Sequence, residues 1–350
     1  ISMESSNELL SILKKHAVLG TSIAFTNANG DICTVSAGKA NPIKYVDNCT
    51  NFRTASISKF IVALVIMNLH KQNVLNIEDD ISKYFSLLIK NPNDSKVIKI
   101  KNLMSHTSTI IDSELYFNAF NSPKKINEVI NFSNNKVGNS FEYSNFAAGM
   151  LEYIIEKATG LSLQKNINIY VAKPLDINIY LFPNLELDIA EIYRVFPKSK
   201  RPNYKFDLDT YQSNLDYKNR GIEYHYIRSA GGMHISAIDL LTLTKAVLQG
   251  DSIINKDMLE LMESPVAKYP MPQRKLYHGL GTLIIDDKRI SKNILYGHQG
   301  FAYGAVQGMF YDRQNNMCFV SLNNGAKEWR NGHFSKLNEA LLNWWQKYYY

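Results

Sequence analysis

The hydrophobic period changes twice along this 350-residue chain, and those changes limit which segments can pair with which. Residues 21–26 and 32–36 alternate as strands around Asn27-Ala28-Asn29-Gly30, a hairpin signal. From Ser56 to about Ser264 the pattern is mainly helical, with segments at 57–72, 146–158, 237–249 and 256–262. Strands return at 281–285, 293–296, 305–311 and 317–322, and amphipathic helices are expected at 4–16 and 334–345. The pattern predicts an α+β fold: one antiparallel sheet shared by the two ends of the chain, flanked by the terminal helices, with a mainly helical domain inserted between its strands. The expected boundaries are 1–55 with 276–350 for the sheet domain and 56–275 for the helical one. Their junction falls at Ser56, and junctions are where clefts form.

Ser56 and Lys59 stand just before the apolar run 61–69. At a spacing of three residues on a helix the hydroxyl and the amine share a face, and the helix N-terminus offers free N–H groups and a positive dipole end to a developing oxyanion. A serine so placed can attack a carbonyl. The Ser-x-x-Lys spacing also occurs at Ser11, Ser36, Ser122, Ser133 and Ser162, and its plain structural meaning is a helix cap followed by a solvated lysine. Two companions single out Ser56. Tyr143-Ser144-Asn145 lies on the loop entering the helical run that ends at Gly160. A phenol beside an ammonium can lose its proton below the usual value of about 10, which would let it take a proton from serine. Tyr296-Gly297-His298-Gln299-Gly300-Phe301 holds the chain's one His-x-Gly, with glycines suited to close approach of a ligand backbone; its plain meaning is a hairpin turn with an exposed histidine.

In that order, Ser56-Ile57-Ser58-Lys59, Tyr143-Ser144-Asn145 and His298-Gln299-Gly300 resemble the three motifs of serine β-lactamases and penicillin-binding proteins. The wide spacing resembles the class C branch with its carboxypeptidase, D-aminopeptidase and esterase relatives. Residues 103–108 (Leu-Met-Ser-His-Thr-Ser), Ala230-Gly231-Gly232-Met233 with Ser236, Asp239 and Leu240, and Val320-Ser321-Leu322-Asn323-Asn324 are similar to further segments of that family, so the resemblance covers nearly the whole chain.

The resemblance implies Ser56 as nucleophile, Lys59 and Tyr143 as the base pair, Asn145 as orienter, the backbone N–H groups of Ser56 and Phe301 as oxyanion donors, and His298, Gln299 and Gly300 lining the substrate site. The implied substrates are D-amino-acid-containing peptides, with small esters or β-lactams, or a penicillin-binding module that scarcely turns over, as alternatives. It also implies a bacterial, extracytoplasmic setting. The chain departs from the family at Thr109, where glycine is usual, at Val137-Gly138 in place of Pro-Gly, and at His298-Gln299 in place of Lys-Thr. A histidine with an ordinary value near 6.5 would be mostly neutral at pH 7 and gain charge toward pH 6, so efficient β-lactam hydrolysis is not expected.

Composition excludes other classes without identifying this one. A formal charge of +7 could suit nucleic acid, but basic and acidic residues alternate and no nucleic-acid motif accompanies them. The densest basic stretch is Lys198, Lys200, Arg201 and Lys205. Cys33, Cys49 and Cys318 have no metal-type spacing and the eight histidines form no ligand motif, so neither metal nor cofactor is expected. No apolar run reaches membrane-spanning length. Because the chain opens with Ile1 and not Met, an N-terminal segment, with any export signal, is expected to have been removed.

Overall fold

The computed structural model describes residues 1–196, 199–204 and 206–350. Eight strands form one antiparallel sheet: β1 (Gly20–Thr26), β2 (Ile32–Gly38), β3 (Ala267–Lys268), β4 (Leu276–His278), β5 (Leu283–Ile285), β6 (Leu295–Ala302), β7 (Ala305–Asp312) and β8 (Met317–Asn324). Their spatial order is β2-β1-β8-β7-β6-β5-β4-β3. The N-terminal hairpin thus pairs with the C-terminal strands, Gly20 opposite Asn324 and Phe25 opposite Phe319. β1, β7 and β8 are buried along their whole length, whereas the edge strand β2 alternates toward solvent.

The two-residue period sorts the sheet's side chains onto two cores. Ile23, Phe25, Phe310, Met317 and Phe319 face one side, where α1 (Met3–Lys15) and the C-terminal helix Lys336–Tyr349 pack through Leu9, Leu13, Leu341, Trp344 and Trp345. Ala24, Met309, Tyr311, Cys318, Val320 and Leu322 face the other, against the helical region built on α2 (Ile57–Lys71), α3 (Asn145–Thr159) and α4 (Ala237–Gln249). α2 buries nearly every side chain, which explains why its sequence is apolar all round and not striped.

The expected helices and sheet are present, with differences that have local causes. β6 runs on through the His298 segment, because Leu295 to Ala302 keep pairing with β7 up to a tight turn at Tyr303-Gly304. His298 therefore sits inside a strand, 2 % exposed, and not on an exposed turn. Helix Leu208–Asn219 and the short pair Asn51–Arg53 with His234–Ser236 have no clear period and were not anticipated. Lys198 and Lys205 of the basic stretch lie outside the described residues. All three cysteines are free thiols. Among the described residues no helix is long and apolar enough to cross a membrane.

The terminal helix is held by two indole N–H groups, Trp344 to Ser5 O at 2.9 Å and Trp345 to Thr26 O at 3.0 Å. Replacing Trp345 with Ala should remove about 3–5 kcal/mol of stability, read as a lowered denaturant midpoint, because a fully buried indole is lost with its hydrogen bond.

Candidate active site

The turn that carries Ser56 is strained and tightly tied. Ala55 adopts a left-handed φ of 51°, and Ser58 Oγ bonds Ala55 O at 2.7 Å and Thr54 Oγ1 at 2.9 Å. Ser56 occupies the cap position of α2, yet its hydroxyl caps no N–H. It accepts instead from Lys59 Nζ at 2.9 Å and from Tyr143 Oη at 2.8 Å. The plain meaning of the Ser-x-x-Lys spacing, a cap with a solvated lysine, therefore does not apply at Ser56.

Lys59 is 5 % exposed, and its ammonium also donates to Asn145 Oδ1 at 2.8 Å and Ala230 O at 2.7 Å. Three protons thus meet three acceptors from separate segments. Two carboxylates hold those segments. Asp112 accepts from Ser144 Oγ at 2.9 Å, Asn145 N at 3.0 Å and Phe146 N at 2.8 Å, anchoring the start of α3 where like-signed N–H groups need an acceptor. Glu152 accepts from Ser229 N at 3.0 Å and so steadies the turn that presents Ala230 O. Neither residue carries a motif; only a tertiary view connects them to Ser56.

Tyr143 lies flat against His106, ring centroids 4.2 Å apart, with Lys59 Nζ 4.9 Å from its own ring centre. His106 Nδ1 accepts the Ser144 N–H at 3.0 Å, so the Leu103–Ser108 segment forms the wall behind the tyrosine loop. Thr109 holds a left-handed φ of 68° where glycine would be unstrained, and Asn91 Nδ2 bonds its hydroxyl at 2.9 Å, offsetting part of that strain.

β6 closes the other side. A Cβ on Gly300 would stand 2.7 Å from Ser56 N and 2.6 Å from Thr54 O, so only glycine allows the strand this close. In a two-residue hairpin the Ala302–Ala305 pair is hydrogen-bonded, which makes Phe301–Val306 the non-bonded pair and turns the Phe301 N–H away from β7. β5 pairs with β6 only as far as Gly297, leaving that N–H on the Ser56 side. Two N–H groups thereby face one cleft.

One expectation is corrected here. The His298 imidazole is pushed down to about 3, first by burial and then by the neighbouring Lys59 ammonium, so it stays neutral well below pH 6. Its Nδ1 lies 2.6 Å from Gln299 O, which can only accept; Nδ1 therefore carries the proton and Nε2, without a partner among the described residues, is a bare acceptor. Gln299, which lines the cleft, also ties down the C-terminal loop, Nε2 donating to His333 O at 2.5 Å and Oε1 accepting from Ser335 N at 3.0 Å, and keeps its second amide proton.

The cleft has two halves that meet at Ser56, Asn145 and Phe301. One, about 380 Å³, adds Tyr143, Tyr269, Leu283, His298, Gln299, Arg330 and His333. The other, about 440 Å³, adds Arg53, Tyr116, Phe117, Phe120, Arg194, Ile227, Tyr303 and Glu328. Arg330, in a stretch that reads as an ordinary polar loop, was missed; its guanidinium covers the Phe301 ring at 3.8 Å. Among the described residues, Glu152, Glu156 and His225 form the one cluster of metal-ligand type. Its ligand atoms are already taken, by Ser229 N, Tyr217 Oη, Leu163 N, Tyr217 O and each other.

The Beta-lactamase family model matches residues 9–341. A Bacillus subtilis (strain 168) protein named as a penicillin-binding protein, PbpX, is 24% identical over 267 residues, 75% of this chain, and the chain spans 63% of that protein's length. Among solved structures, the octameric penicillin-binding protein homologue of Pyrococcus abyssi is similar with a TM-score of 0.77 at 21% identity, covering 98% of this chain and 76% of that one. The D-amino acid amidase of Ochrobactrum anthropi SV3 complexed with L-phenylalanine gives 0.76 at 18%, covering 98% of both chains. These likenesses show the fold.

Burial lowers six histidines, His16, His106, His234, His278, His298 and His333, and raised His225 opposes them. The unfolded chain binds protons at these six sites below about pH 6.5 while the folded chain does not, so stability is full above that value and falls as pH drops toward 4, by up to about 1.4 kcal/mol per unit for each group. Denaturant titrations from pH 8 to 4 should show that decline, and the His298 ring resonances should not titrate between pH 8.5 and 5.5.

Proposed function

The chain belongs to the Beta-lactamase family of hydrolases, and we propose that it is a serine acyl-transfer hydrolase working through an acyl-enzyme on Ser56. The observation that supports this most is the convergence of Lys59 Nζ and Tyr143 Oη on a serine hydroxyl that caps nothing. Once the Tyr143 phenol has released its own proton to solvent, Ser56 Oγ forms a bond to the carbonyl carbon of an amide or ester as the serine proton passes to Tyr143 Oη. Lys59, whose three protons are already engaged, stands as a fixed hydrogen-bond donor beside the attacking oxygen. The carbonyl oxygen, now negative, takes hydrogen bonds from the N–H groups of Ser56 and Phe301. Tyr143 then gives its proton to the leaving nitrogen or oxygen, the carbon–leaving-group bond breaks, and water activated by the same phenol hydrolyses the acyl-enzyme.

Tyr143 lines the smaller half of the cleft and not the larger, so the leaving group is assigned to the smaller half and the acyl group to the larger. Neutral His298 presents an acceptor there, which suits the N–H of a peptide or carboxamide; Arg330 at its rim is the remaining cation for a terminal carboxylate. D-amino-acid-containing peptides, cell-wall stems among them, fit this reading, and so does an extracytoplasmic location. Asn145 orients Lys59 and the substrate amide.

Intact mass spectrometry after exposure to a fluorophosphonate and to a penicillin tests the nucleophile. One adduct per chain is expected, absent in Ser56→Ala; an adduct that survives in Ser56→Ala would remove Ser56 from the mechanism. Lys59→Ala should slow acylation by several orders of magnitude, and Tyr143→Phe should slow acylation and deacylation together in pre-steady-state assays, since one phenol serves both transfers. Nitrocefin should turn over far below about 10² per second, and its binding should not tighten between pH 7 and 5.5 through His298, which gains no proton there.

A further inference from the structure

The larger half of the cleft carries side chains that the reaction steps do not use. Arg53 and Arg194 both lie against the Tyr303 ring, their guanidinium carbons 5.6 and 5.2 Å from its centre. Arg53 Nε bonds Gly231 O at 2.9 Å, which fixes it in the wall, whereas Arg194 is exposed. Tyr303, itself in a left-handed turn, is seated by Gly304 against the backbone of Tyr193, so the hairpin tip and the strand Ile192–Phe196 hold Arg194 at the cavity. Phe117 and Phe120, each about half exposed, line the same cavity. Glu328 is the one carboxylate among the described lining residues, set against two guanidiniums. Lys59, a third cation, does not line the cavity but is buried behind it, bonded to the lining residues Ser56, Asn145 and Ala230.

The geometry points to an acyl-side subsite for an anionic, aromatic or apolar acyl group: a carboxylate N-terminal to the scissile bond paired with Arg194, and an apolar side chain laid on Phe117 and Phe120. This rests on the hydrolase reading and narrows it. A free α-ammonium beside the scissile carbonyl would enter a cavity whose described charges are net positive, and is disfavoured; an N-acylated residue is neutral there, and one acylated with a dicarboxylic acid is attracted. The chain would thus cleave within or at the C-terminal end of an anionic peptide and leave free D-amino acid amides largely untouched. Planar guanidinium matches carboxylate with two parallel bonds, and stacking on Tyr303 preorganises it.

The test compares kcat/KM for three p-nitroanilides of D-phenylalanine, N-succinyl, N-acetyl and free-amine, on the full chain, with Ser56→Ala as control. The expected order is succinyl, acetyl, free amine, with about tenfold between the first two, the scale of one charge-assisted hydrogen bond. That ratio should shrink as salt rises from 0.05 to 0.5 M through screening, in the manner of a partly exposed pair. Arg194→Gln should bring the succinyl-to-acetyl ratio near one and Arg194→Lys should keep most of it; using a ratio removes any loss of folded enzyme, and the wild-type series alone decides if a variant does not fold. A free-amine substrate cleaved as well as the succinyl one overturns the inference while keeping the hydrolase reading. If Glu328→Gln also abolishes that free-amine activity, the cavity recognises an ammonium. No Ser56-dependent cleavage of any of the three, together with no covalent adduct, overturns the hydrolase reading and this inference with it.

Discussion

The buried ammonium of Lys59 is the constraint around which the molecule is assembled. Moving such a charge out of water costs several kcal/mol unless each of its protons finds an acceptor. The three acceptors are Ser56 Oγ, Asn145 Oδ1 and Ala230 O, from the turn before α2, the start of α3 and the turn at residues 228–230. No one of these segments can shift without leaving a proton unmet. Asp112 and Glu152 extend the same logic outward, each fixing a backbone segment whose group Lys59 requires. Removing either acid would therefore disturb the site without touching a reacting atom. Precision at Ser56 is a by-product of satisfying one buried cation.

Around that cation lies a wall of imidazoles held neutral. His106, His278 and His298 are stacked edge to face, with centroids 4.8 and 5.8 Å apart along the series, and burial lowers all three. Neutral rings add little charge of their own and exclude water, so the field of Lys59 on Ser56 and Tyr143 is weakly screened. The strand position of His298 thus holds an uncharged acceptor. Arg330 is then the cation of the smaller half of the cleft among the described lining residues, while Arg53 and Arg194 line the larger.

Legibility in the sequence followed the range of the physics involved. Ser56, Lys59, Tyr143 and Asn145 could be named because each lies at the start of a helix, and the hydrophobic period and stop signals that mark those starts are local. That the two ends of the chain share one antiparallel sheet was likewise implied by two strand-like ends around a helical middle, whereas the pairing of residues 20–25 with 319–324 is seen only in the structure. The role of Gln299 could not be read, because its partners His333 and Ser335 belong to a loop brought beside it by the fold. Asp112, Arg194 and Arg330 gave no local signal; each looks like an ordinary surface charge until the chain folds.

The sequence by itself determined the family, the order of the elements and the identity of the serine with its two companions, since periodicity and motif spacing are properties of neighbouring residues. The tertiary structure alone decided the electrostatics: that His298 is neutral to about pH 3, that Lys59 spends all its protons, that Gly300 must lack a side chain so β6 can approach Ser56, and that two arginines share one tyrosine in the larger half of the cleft. Charge states and subsites depend on desolvation and distance, which are sums over segments far apart in the chain, and only folding brings those segments together.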